Sequence, residues 1–128
     1  MLDETKIQKS INQYFTWLKD RTTVKQVNNW VGITVPFLDK HNDYIQIYVK
    51  EENNDFMLTD GGYILADSCQ TGGDLEKRIN SLISGFGVHI EYASLSAFLT
   101  INAGADNFAM QLNNLIQAML AVNLLEDL

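Results

Sequence analysis

The sequence is short of the residues that most small-domain chemistries require. It has one cysteine, Cys69, so no internal disulfide is expected, and that usage fits a reducing, cytoplasmic setting. It has two histidines, His41 and His89, neither with another His or Cys at ligand spacing, so a zinc site is not expected. There is no Gly-x-Ser-x-Gly elbow, and Cys69 has no sequence-evident histidine partner. Gly61-Gly62 and Gly72-Gly73 lack the lysine and the spacing of a phosphate-binding loop. No run of about eighteen apolar residues occurs, so no membrane span is expected. Met1-Leu2-Asp3-Glu4 lacks the basic-then-apolar pattern of a secretory leader. One proline and eight glycines in 128 residues argue against disorder. With 46% apolar residues, that length suits one domain, 1–128, around one core.

Basic residues run out along the chain. Residues 1–50 hold seven Lys or Arg against five Asp or Glu, a balance of +2. Residues 51–128 hold two against eleven, a balance of −9, and no base follows Arg78. The net charge of −7 does not steer the chain toward nucleic acid, so direct nucleic-acid binding is not expected. The acidic half is either a solvated surface or a face that meets a basic partner.

What is present centres on Phe56-Met57-Leu58-Thr59-Asp60-Gly61-Gly62-Tyr63-Ile64-Leu65. Phe56 to Thr59 is short and apolar enough for a strand. Asp60-Gly61 is a tight-turn signal of the type I′ kind, in which both central residues take positive φ. Tyr63-Ile64-Leu65 then returns apolar surface to the core, either as a second strand or as a short helix. The motif Leu58-Thr59-Asp60-Gly61-Gly62-Tyr63, a Gly-Gly-Asp helix start and a Gly-Phe-Gly-Val exit together resemble a bacterial and phage family, domain of unknown function eighteen-twenty-eight. The resemblance covers roughly residues 30 to 92, judged by pattern. It implies a bacterial or prophage context and carries no activity, cofactor or site residue with it.

Either side of that stretch the periodicities are clear. Residues 4–19 read as an amphipathic helix, with Ile7, Ile11, Tyr14 and Leu18 stepping by four, three and four and Phe15 widening the stripe. Residues 22–28, 30–37 and 44–49 read as strands; in the last, Ile45, Ile47 and Val49 oppose Tyr44, Gln46 and Tyr48. Asp74 reads as the cap of a helix carrying Leu75, Ile79, Leu82 and Phe86, with Gly85 and Gly87 as its stop. Strands follow over 88–92 and 95–102. Asp106 reads as the cap of a last helix over 106–124. The expected fold is α+β: an antiparallel meander of four to six strands with N-terminal, middle and C-terminal helices packed on it.

For function, two readings of different kind stand. The first is a small acidic, non-enzymatic interaction protein of bacterial or prophage origin, with a basic, nucleic-acid-handling protein as its partner. The second is a divalent-metal nuclease or phosphodiesterase on Asp60, Asp67, Asp74 and Glu76, against which stand plain roles for each: turn former, helix cap and solvated acids. No cofactor is expected. Tyr44 and Tyr48, beside Gln46, share a strand face of the kind that stacks bases, but read as sheet packing. The last helix has no charge from Asn107 to Leu125. Ile116, Leu120 and Leu124 beside its main stripe therefore point to a homodimer through this helix, unless it is surrounded within the monomer.

Overall fold

The structure is a computed structural model that describes residues 1–66 and 73–126. Cys69 and Asp67 lie outside the described residues. The order is α1 (Glu4–Arg21), β1 (Thr23–Val27), β2 (Trp30–Leu38), β3 (Tyr44–Glu52), β4 (Asp55–Thr59), α2 (Tyr63–Ala66), α3 (Asp74–Ser84), β5 (His89–Ala93), β6 (Ser96–Ala103) and α4 (Phe108–Glu126). The fold is α+β, as the alternation and the helical stripes imply.

The six strands form one antiparallel sheet in the order β1-β2-β3-β4-β6-β5. The meander holds through β4. The chain then leaves the sheet through α2 and α3, returns at the edge as β5, and folds back so that β6 pairs with β4. Period-two alternation sorts the side chains. Ile33 and Val35 of β2, Ile45, Ile47 and Val49 of β3, Leu58 of β4, and Leu99 and Ile101 of β6 all enter one core. Ile64 and Leu65 of α2, Ile79 and Ile83 of α3, and Leu115, Met119 and Val122 of α4 close it from the other side.

Three expectations need correction, and one open alternative is decided. The positive-φ pair of the central turn is Gly61 (φ 73) and Gly62 (φ 92), not Asp60-Gly61; the two-residue turn with both φ positive is Asn53-Asn54, between β3 and β4. Asp60 stays out of the left-handed region because its side chain is engaged elsewhere, as described below. Asp74 is the first residue of α3 and Gly73 the cap, with no side-chain capping bond; an acid there still suits the helix dipole. Asp106 gives way to Asn107, whose side-chain oxygen accepts from the Gly104 N–H at 2.7 Å just before α4 begins. The residues after Gly62 take the helical of the two open alternatives.

The two long helices behave oppositely to their charge content. α4, uncharged up to Leu125, is a core helix: Leu115, Ala118, Met119 and Val122 are fully buried and Ile116 is nearly so. Of the three residues that pointed to a homodimer, Ile116 therefore belongs to the core, Leu120 packs against it half-buried, and Leu124 is exposed. Residues 108–125 are also long and apolar enough by length and composition to cross a bilayer, a test that core helices of soluble proteins also pass. Asn123, itself buried, accepts from the Lys40 N–H at 3.0 Å and ties the end of α4 to the β2–β3 loop. By contrast the charged, striped α1 meets the sheet at β2 and has no buried residue at all.

Candidate binding hollow and the junction that shapes it

The Asp-Gly-Gly-Tyr stretch is a junction at the end of β4, and each of its four residues has a mechanical role. Asp60 has no exposed surface. Its Oδ1 accepts from the N–H groups of Gly62 at 3.0 Å and Leu99 at 2.9 Å, and its Oδ2 accepts from Ile64 N–H at 3.0 Å. One carboxylate thus closes its own turn, satisfies the start of α2 and holds β6. Burial pushes its pKa up from the ordinary 3.8, and the backbone donors oppose that shift. Thr59 adds a 2.6 Å bond from its hydroxyl to the Leu99 carbonyl.

Gly61 sits flat against Tyr48: a Cβ there would lie 2.9 Å from two carbons of the Tyr48 ring. A Cβ on Gly62 would meet the Ala97 carbonyl at 3.3 Å. Both positions also have positive φ, so glycine is required twice over. Tyr63 reaches back across β3, where its hydroxyl accepts from the Gln46 N–H at 3.0 Å. Since β4 ends at Thr59, opposite Tyr48, that hydroxyl takes the place of the strand that no longer runs beside Gln46. Burial raises the Tyr63 pKa, so the phenol stays protonated.

On the face of the sheet away from the core, this junction borders a hollow of about 500 Å³. Among the described residues it is lined by strands and turns: Val27, Asn28, Trp30, Tyr48, Lys50, Met57, Thr59, Gly61 and Phe98. The registers Lys50↔Met57, Tyr48↔Thr59 and Val27↔Trp30 bring these side chains to one face. Trp30, Tyr48 and Phe98 supply π surface, and Val27 and Met57 supply apolar contact. Lys50 is the cation of the lining; its Nζ lies 5.1 Å from the Trp30 ring centroid and 3.3 Å from the Glu52 carboxylate. Tyr48 is held by Gly61 on one side and by a 2.8 Å bond from its hydroxyl to Gln46 Oε1. The volume falls within the usual range of small-ligand sites.

Among the described residues, the singled-out acids Asp60, Asp74 and Glu76 are not grouped. Asp60 is buried with both oxygens bonded to backbone N–H groups. Asp74 lies exposed at the start of α3, and Glu76, two residues on, accepts from the Tyr92 hydroxyl of β5. Among the described residues no three His, Cys, Asp or Glu side chains are grouped to hold a metal ion. The hollow itself was not read from the sequence, although its signal was there: the outward face of β3 carries Tyr44, Gln46, Tyr48 and Lys50, an aromatic and basic set rather than a plainly solvated one.

Neither a curated protein nor a solved structure matches the chain. A family model described as Domain of unknown function DUF1828 matches residues 35–122, from within β2 to within α4, further toward the C-terminus than the motif alone suggested. The match includes the whole junction and the Tyr48, Lys50, Met57 and Phe98 side of the hollow, while Val27, Asn28 and Trp30 precede it. With more than half its length matched, the chain belongs to the DUF1828 family.

Proposed function

We propose that this chain is a non-catalytic binding module whose sheet hollow takes a flat aromatic ligand carrying negative charge, of the nucleotide class. The observation that supports it is the lining: three aromatic rings, two apolar side chains and one lysine around about 500 Å³ of accessible space. Rings stack on rings, and a base offers a π face whatever its identity. Lys50 supplies the charge for a phosphate, exchanging its exposed partner Glu52 for it at little cost. The net charge of −7 favours a single nucleotide, or the end of a strand, over a long polyanion. Titration of the Trp17→Phe variant leaves Trp30 as the only tryptophan. Mononucleotides should quench it saturably, and Tyr48→Ala or Lys50→Ala should weaken binding about tenfold. No saturable change with any mononucleotide at millimolar concentration refutes the reading.

A second reading, capture of a basic protein by the acidic half, has one observation in its favour. Glu51, Glu52 and Asp55 are exposed around the β3–β4 turn, and the carboxylates of Asp55 and Asp106 both lie close to Gly104. This end of the molecule is the natural surface for such a partner. A complex retained after Glu51, Glu52, Asp55 and Asp106 are all neutralised counts against it. The metal-nuclease alternative has no comparable support, since Asp60 has no oxygen free of backbone bonds.

A further inference from the structure

We propose that α1 is a self-association element that pairs antiparallel with the α1 of a second copy. This goes beyond the ligand reading and does not depend on it. The helix has eighteen residues, a well-formed start in which Asp3 accepts from the Lys6 N–H at 3.0 Å, and no buried residue. Its stripe is nonetheless apolar: Ile7, Ile11, Tyr14 and Phe15 are 46%, 40%, 46% and 59% exposed. In proteins most helical stability comes from packing of the apolar face rather than from intrinsic propensity. A stripe left open on four consecutive steps is a face that has not met its partner.

The charge distribution of α1 selects a second copy and its direction. Acids start the helix, at Asp3 and Glu4, and bases end it, at Lys19 and Arg21. Two copies crossing antiparallel at Ile11 bring the Glu4 of each opposite the Lys19 of the other, whereas a parallel pair sets like charges together. The contact is isologous, so it closes as a dimer. A helix of this length runs about 27 Å. Pairing along it buries on the order of 1,000 Å² in all, at the lower edge of stable interfaces, so the dimer is a micromolar one. The stripe on α4 that suggested a homodimer from sequence is largely committed to the core, whereas α1 carries an apolar stripe that is exposed along its length.

Analytical ultracentrifugation of the full chain tests this. A monomer–dimer equilibrium in the micromolar range is expected, with Ile11→Glu monomeric and Leu124→Glu unchanged. Because α1 contributes no buried side chain, Ile11→Glu should keep the melting temperature of the monomer. Glu4→Lys should weaken association about tenfold, and adding Lys19→Glu should restore it, because the two positions meet only across copies. The charge pair carries the test even if Ile11→Glu misfolds. A monomer at high micromolar concentration, a dimer that survives Ile11→Glu, or a charge swap that restores nothing overturns the proposal.

Discussion

Asp60 shows how one side chain can be mistaken for chemistry. A carboxylate at a glycine turn, with other acids nearby in sequence, has the outline of a metal ligand, yet its oxygens point inward to three N–H groups from three segments. Removing it leaves buried donors unsatisfied, each costing about 1–3 kcal/mol, so Asp60→Ala should destabilise the protein by about 3 kcal/mol or more in urea denaturation. The pH dependence has a definite sign. The folded pKa is raised, so as pH rises above 3.8 the unfolded chain ionises first and the group's contribution to stability falls until the folded form has also ionised. Stability measured relative to Asp60→Asn should therefore rise as the pH is lowered from neutrality toward 3.8, and be flat below it. Gly61→Ala faces both a left-handed φ of 73° and the Tyr48 ring at 2.9 Å. It should cost about 2 kcal/mol or more, and should weaken ligand binding by displacing Tyr48.

At the scale of elements, period gave the right answer wherever one face is buried and the other is wet. The alternation in β3 and the four–three stripe of α4 are carried by residues that all reach the core, while in α3 the core residues are Ile79 and Ile83, with Leu75 packed against them. What period does not encode is the partner of a stripe. In α1 and α4 similar stripes met different fates: α4, with no charge before its last residue Glu126, was drawn into the core, and α1 stayed outside with charges at both ends. The topology after β4 was also illegible, because the β6 insertion depends on the junction bonds from Asp60 and Thr59 to Leu99, a contact 39 to 40 residues away in sequence. Met119 is fully buried and Leu124 is 67% exposed on the same helix. Met119→Ala should cost about 3 kcal/mol, and Leu124→Ala should stay within about 0.5 kcal/mol, both read from denaturation midpoints. Equal losses at the two positions contradict the core placement of α4.

For the molecule as a whole, the division of labour follows from which surfaces are committed. The helix-covered face of the sheet is the core. The opposite face carries the hollow, the β3–β4 end carries exposed acids, and α1 carries an unburied stripe. The family motif locks β4, β6 and α2 together and, through Gly61 against Tyr48, fixes one wall of the hollow. The hollow was hidden from sequence reasoning because its lining comes from four separate stretches of chain, 27–30, 48–50, 57–61 and Phe98, that only the sheet register brings together.

The most direct test of that account is the binding isotherm of mononucleotides to the full chain, followed through Trp30 in the Trp17→Phe background. The account predicts saturable quenching that is weakened about tenfold by Tyr48→Ala and by Lys50→Ala, with the fold of each variant unchanged. Absence of quenching at millimolar nucleotide, or quenching that is indifferent to both substitutions, contradicts it.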